Sequence, residues 1–180
     1  MHTTLKLIAQ KLNDENVVWG VGASVLLSFY QLIDRPRDID LLVALEDIEK
    51  ADAILSSLGQ KNLWEKSAAY STRYFYEYII NGIDIDVMSG LKIHMGEYIY
   101  EHFFERQSIT QYKTIDEVEI PLTSLEDWFV IYQLIPNREL KVAMIEDYLQ
   151  KNGVKNKFIL EKALTSELPA EIRERILKLL

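Results

Sequence analysis

The apolar residues of this chain recur at two spacings, and the changes from one to the other divide it into elements. Leu5, Ile8 and Leu12 lie at helical spacing over residues 4 to 13, with Thr3 or Thr4 available to cap the first turn. Val17 to Gly20 is too short an apolar run for a helix and reads as a strand leading into a glycine turn; Val25, Leu26 and Phe29 then resume helical spacing over residues 23 to 31. Arg35-Pro36 interrupts that helix, because proline drives its predecessor toward extended geometry, and a β-rich run over residues 39 to 44 starts a second strand near Asp38. Ile48, Ala51, Ile54, Leu55 and Leu58 form the apolar stripe of a helix over 47 to 58, with Gly59 placed as its C′ terminator.

Alternation takes over next. Tyr70 to Ile80 is rich in aromatic and β-branched residues, and Asn81-Gly82 supplies the two positive φ angles of a type I′ turn, so Ile83 to Met88 is the returning strand of a hairpin. That turn pairs Ile80 with Ile83, Ile79 with Asp84 and Glu77 with Asp86. From about 90 to 121 the pattern is mixed and predicts a helix around Glu97 to Arg106 and a short strand ending at Pro121. Ser124, with Asp127 three residues on, predicts a capped helix through Trp128 to Ile135 that Pro136 ends; further helices follow over 138 to 150, 156 to 164 and 170 to 179. The shift near residue 121 divides a mixed α/β domain (1 to 121) from a C-terminal helical region (122 to 180), with no flexible joint between them.

The 180 residues, 48% hydrophobic and 27% charged, suit an ordinary globule. No apolar run approaches the roughly 20 residues of a membrane span, and the N-terminus lacks an apolar signal segment, so a cytoplasmic protein is expected. There are no cysteines, which excludes disulfides and thiolate metal sites. A net charge of -8 argues against a surface that tracks long nucleic acid, because such affinity comes from Lys and Arg neutralising phosphates.

Three motifs carry candidate chemistry. Asp38-Ile39-Asp40 opens an apolar strand, and alternation puts both carboxylates on one face, roughly 6 to 7 Å apart at the Cα level. Like charges so placed repel unless a cation or solvent intervenes, and Mg²⁺ typically takes one or two carboxylates plus phosphate oxygens. Gly22-Ala23-Ser24 lies between strand and helix, where glycine admits a phosphate to the backbone and free N–H groups favour an anion. Ile83-Asp84-Ile85-Asp86-Val87 alternates acid with apolar residues, and a Glu across from Asp86 is unfavourable without solvent or a cation. Each motif alone also fits a structural reading: acid pairs cap helices and line loops, glycine turns are common, and a solvated strand face tolerates acids. His2, His94 and His102 lack zinc-binding spacing, no GxSxG elbow is present, and the aromatics Tyr70, Tyr74, Phe75, Tyr76 and Tyr78 suit either base stacking or core packing.

Taken together, over about residues 5 to 90, these motifs resemble the nucleotidyltransferase fold family, in which a small Gly/Ser turn, a helix, Asp-x-Asp and a third acid on a neighbouring strand follow in that order. The resemblance implies an α/β (α+β) fold, a mixed β-sheet flanked by helices. It further implies Asp38, Asp40 and Asp86 as catalytic and metal-holding residues for Mg²⁺ or Mn²⁺, and Gly22, Ala23 and Ser24 as the phosphate grip for a nucleoside triphosphate. Asp86 is preferred to Asp84 because it lies deeper along the hairpin, away from the turn and solvent. The implied reaction moves a nucleoside monophosphate to a hydroxyl of a small-molecule or protein acceptor and releases pyrophosphate. Ser124-Leu125-Glu126-Asp127 extends the likeness toward antibiotic-modifying and toxin-like members. The chain departs from them where Gln133 stands in place of a lysine, where Arg138-Glu139-Leu140-Lys141 replaces a basic-acidic turn, and where Ala23 holds a Gly or Ser site. Those departures keep open a second reading, a catalytically inactive nucleotide-binding or toxin-antitoxin-type interaction protein of the same fold.

Overall fold

The computed structural model describes residues 1–62 and 72–180. Helix α1 (His2–Asp14) leads into strand β1 (Trp19–Val21), helix α2 (Ala23–Phe29), strand β2 (Ile39–Val43) and helix α3 (Ile48–Leu58). Strands β3 (Gln60–Asn62), β4 (Tyr74–Ile80), β5 (Ile83–Ser89), β6 (Leu91–Met95), β7 (Tyr98–His102), β8 (Gln111–Ile115) and β9 (Val118–Leu122) follow. Helices α4 (Leu125–Leu134), α5 (Glu139–Asn152), α6 (Lys157–Ala163) and α7 (Ala170–Leu177) complete the chain. None of these helices is long and apolar enough to cross a membrane.

Seven strands form one mixed sheet in the order β3-β4-β5-β2-β1-β9-β8. Antiparallel pairs flank two parallel ones, β2 with β5 and β1 with β9. The β4–β5 hairpin has the expected register, Ile80 with Ile83 and Glu77 with Asp86, and Asn81 and Gly82 both take positive φ. The start of the aromatic strand expected from Tyr70 lies outside the described residues.

The helix expected around 97 to 106 is not formed. Leu91 to His102 is instead a two-stranded antiparallel hairpin, β6 with β7. Gly96 sits at its turn with φ +61°, and Leu91, Ile93 and Tyr100 are buried on one face in period 2. The alternation at Tyr98-Ile99-Tyr100, with aromatic and β-branched side chains, decides for strand. Gly59 ends α3 as expected, though not by left-handed geometry, since its backbone is extended at φ -168°. A Cβ there would lie 2.2 Å from the Ile79 carbonyl oxygen, so glycine is required for α3 to turn onto β4. Helix α2 stops before Pro36 is reached: Gln31 turns left-handed at φ +59° while the Leu32 N–H donates to the Leu27 carbonyl, a Schellman-type stop.

One sheet face carries Ile39, Leu41, Val43, Ile85, Val87 and Tyr78, all buried, and the Tyr78 hydroxyl donates to Asp52 of α3 at 2.6 Å. The other face carries the acids of β2 and β5 and lies under α4. That helix is capped as expected, its Asp127 N–H donating to the Ser124 hydroxyl at 2.8 Å, and is buried nearly all round because it touches α2, β6, α5, α6 and α7. Buried Glu126 fastens the segment before α6. Its carboxylate accepts the backbone N–H groups of Lys155 and Asn156 and the Asn156 side-chain amide, at 2.9–3.2 Å. We expect Glu126→Ala to lower unfolding stability by about 1–2 kcal/mol, since it removes three hydrogen bonds to half-buried and exposed donors and leaves a small void at a buried position; urea denaturation with an unchanged slope would register this.

Candidate active site

The parallel pairing of β2 with β5 builds the floor. It aligns Ile39 with Ile85 and Asp40 with Asp86, so Asp40 and Asp86 stand side by side on adjacent strands, and Asp38 lies two residues before Asp40 on the same face. Asp38, Asp40 and Asp86 line one pocket of about 280 Å³ together with Phe75 and Met88 of the hairpin. Asp84, nearer the turn, is exposed and does not line it. Among the described residues of the aromatic run, Phe75 alone reaches this pocket, while Tyr76 packs under the Lys61 ammonium, 3.6 Å from its ring centre, and Tyr78 is core.

The glycine turn is stapled to the aspartate strand twice. The Gly22 N–H donates to the Asp40 carbonyl at 2.9 Å, and the Ser24 hydroxyl donates to the Asp38 carboxylate at 2.9 Å. Ser24 therefore spends its hydroxyl on orienting Asp38, and Ala23 is the member of the turn that lines the pocket. Ala23 adopts φ +43°, a region that favours glycine. Gly22 has a packing duty: a Cβ there would fall 2.3 Å from the ring of Trp128. That ring is held by its own N–H, which donates to Thr123 Oγ1 at 2.8 Å, while the Thr123 hydroxyl donates to the Val21 carbonyl. Turn, sheet and α4 are thus locked at one point.

The cover comes from α4 and the start of α5. Trp128, Ile131, Tyr132 and Ile135 form an apolar wall, and Arg138 and Lys141 bring positive charge opposite the aspartates. Lys141 Nζ donates to the Tyr132 hydroxyl at 3.3 Å and lies 4.9 Å from that ring's centre. Gln133 turns the other way, donating its side-chain amide to the Phe129 carbonyl, and does not line the pocket. The sequence reading took Arg138 and Lys141 only as a departure from a turn motif. Their i, i+3 spacing at a helix start was the signal that both share one side.

Electrostatics set the state of the floor. Burial, reinforced by Asp38 and Asp86, pushes the Asp40 carboxyl up to about 8, with Lys141 and Arg138 opposing. Asp86 is pushed up to about 6 by burial and then by Glu77, Asp38 and Asp84. Lys141 is lowered by burial and by Arg138, against the pull of Asp40 and Asp38. This donor set fits a hard divalent cation, which relieves both burial and repulsion. Among the described residues no group of three or more Asp, Glu, His or Cys side chains is placed to hold a metal ion by itself.

The mixed seven-stranded sheet with its flanking helices has the nucleotidyltransferase fold. No protein-family model and no curated protein matches it. Among solved structures it is similar to a Thermotoga maritima protein provisionally described as a nucleotidyltransferase, at 20% identity and TM-score 0.62, over 83% of this chain and 92% of that one. It is also similar to ANT(2″)-Ia, solved in complex with adenylyl-2″-tobramycin, at 17% identity and TM-score 0.56, over 96% and 98% of the two chains. A third similar structure is the lincosamide antibiotic adenylyltransferase LnuA, lincomycin-bound, at 13% identity and TM-score 0.54, over 81% and 96%.

Two outcomes follow from this geometry. Gly22→Ala should destabilise the fold by about 1–3 kcal/mol through collision with Trp128, whereas Ala23→Gly should be neutral or stabilising because it releases left-handed strain; thermal melts of the two variants should move apart. In chelator, Asp40→Asn should melt above the wild type. A carboxyl whose folded value is raised from 3.8 to about 8 leaves stability intact below pH ~4 and removes it as pH rises toward ~8. The gap between variant and wild type should therefore widen from pH 4 to pH 8, and a constant gap would contradict the burial of that charge.

Proposed function

We propose that the protein is a metal-dependent nucleotidyltransferase, moving a nucleoside monophosphate from a nucleoside triphosphate to an acceptor hydroxyl with release of pyrophosphate. The observation that carries this reading is the placement of Asp38, Asp40 and Asp86 on one sheet face, directly opposite Arg138 and Lys141 in one pocket. An enclosed site with both a carboxylate floor and a cationic cover suits a metal-chelated polyphosphate better than either ion alone.

Asp38, Asp40 and Asp86 would hold Mg²⁺ or Mn²⁺, which when bound neutralises charge that builds on the phosphate oxygens. Ser24 keeps Asp38 oriented for this. Arg138 and Lys141 would bind the β- and γ-phosphate oxygens, with Lys141 steered by the Tyr132 hydroxyl. Of the glycine turn, Ala23 lies at the pocket and would meet the phosphates, while Gly22 leaves room for the Trp128 ring. Asp86 would take the proton of the acceptor hydroxyl as its oxygen attacks the α-phosphorus. The bond from that phosphorus to the bridging oxygen breaks, and pyrophosphate leaves on the side of the two cations. The apolar wall of Phe75, Met88, Trp128, Ile131 and Ile135 excludes water, which would otherwise compete as acceptor. A compact acceptor fits a pocket of about 280 Å³ better than a long polymer, in line with the small-molecule acceptors named for the similar structures.

Thermal shift across the four nucleoside triphosphates with millimolar Mg²⁺ tests binding, and pyrophosphate release with a panel of acceptors tests turnover. Binding without release under any acceptor would favour the inactive nucleotide-binding alternative; no shift with any triphosphate would overturn both. Asp86→Asn should cut turnover by a factor on the order of 10³ while keeping triphosphate binding, and the exposed Asp84→Asn should change little. Lys141→Ala should raise the KM for triphosphate about tenfold, equivalent to about 1.4 kcal/mol of lost charge-assisted contact, with a smaller change in kcat.

A further inference from the structure

The pocket over the aspartates differs from one side to the other. In the sheet, β2 lies between β1 and β5, and β4 follows β5. Arg138 and Lys141 act on the charge of Asp40, on β2, and the Tyr132 hydroxyl that Lys141 meets feels Asp40 and Asp38. The charges that act most on Asp86, on β5, are Glu77, Asp38 and Asp84, and neither cation is among them. The cationic side of the pocket is therefore the β2 side. Toward β4 the lining turns apolar. Two residues beyond Asp86 on the same face, Met88 pairs with Phe75 of β4, and Leu91 stands just past the end of β5; all three line the pocket.

With pyrophosphate leaving toward Arg138 and Lys141, an in-line attack has to come from the far side of the α-phosphorus, which is the side of Asp86. An acceptor there rests on Phe75, Met88 and Leu91. That surface offers nothing to seat a positive charge. Among the described residues the only carboxylates lining the pocket are the three aspartates assigned to the metal, and Glu77, directly across from Asp86, does not line it. An ammonium set against the three apolar side chains would be desolvated without a partner, which is costly, whereas an apolar body gains by leaving water.

We propose, resting on the nucleotidyl-transfer reading, that the acceptor is an uncharged alcohol on a compact apolar body, seated on Phe75, Met88 and Leu91 with its hydroxyl at Asp86. The hydroxyl proton passes to Asp86, the oxygen bonds the α-phosphorus, and the bond from that phosphorus to the departing pyrophosphate breaks. The chain has four methionines, so a labelled Met88 methyl can be followed by NMR with Met1, Met95 and Met144 as controls. With millimolar Mg²⁺ present, hydrocinnamyl alcohol should shift the Met88 signal saturably. It should bind about tenfold more tightly than phenylalaninol, the same skeleton carrying an ammonium, or glycerol, which has hydroxyls and no apolar body. Phe75→Ala should weaken hydrocinnamyl alcohol several-fold, and Phe75→Leu, which keeps apolar surface in the sheet, should retain most of the affinity; triphosphate affinity should be the same in both variants and the wild type. A silent Met88, equal movement of all four methyls, tighter binding of phenylalaninol, or an unchanged Phe75→Ala variant would each overturn the proposal. So would a loss of triphosphate affinity in Phe75→Ala, which would give the apolar side to the nucleobase. Pyrophosphate release should rank the three alcohols in the same order. Saturable Met88 movement with no release from any of them would remove the transfer reading and leave the apolar seat for uncharged alcohols standing, so the two failures are told apart.

Discussion

Two parallel strands hold like charges side by side, and the rest of the molecule is arranged around that constraint. Pairing β2 with β5 puts Asp40 beside Asp86, an arrangement that burial and mutual repulsion make costly. The fold tolerates it because the opposite faces of the same strands, through Ile39, Leu41, Val43, Ile85 and Val87, lie wholly in the core. Apolar burial on one side holds the strands in a register that electrostatics on the other side would loosen.

The second structural demand is that something cover the acids without neutralising them outright. Helix α4 does this with Trp128 and Tyr132, whose rings pack 5.1 Å apart. The start of α5 then adds Arg138 and Lys141 at the pocket wall, where they ease the charge on Asp40 without forming an ion pair with it among the described residues. Aspartates and cations that do not close on each other leave room for a ligand carrying both signs.

Glycine, serine and threonine around the site serve packing as much as chemistry. Gly22 exists in this place because Trp128 fills the volume a side chain would need. Ser24 and Thr123 each bridge one element to the next, to Asp38 and to Val21 respectively. The glycine turn is also the joint between sheet and helical cover, so its geometry and the position of α4 are linked.

Much of this was legible in the chain itself. Period-2 alternation and Asn81-Gly82 determined the β4–β5 register, because a two-residue turn leaves one pairing, and with it that Asp84 lies nearer the turn than Asp86. The acids, the glycine turn and Ser124 were visible as motifs, and their order indicated the fold. Where the pattern was mixed it misled: a helix is expected around Glu97 to Arg106, and only pairing of β7 with β6 decided for strand. Residues distant in sequence stayed invisible. Nothing local marks Arg138 and Lys141 as partners of Asp40, nor His102 as the neighbour of Asp127, since charge acts through space and their separation in space is set by how α4 and α5 pack. Local spacing determines elements and their faces, whereas the packing of α4 across the sheet alone decides which faces meet.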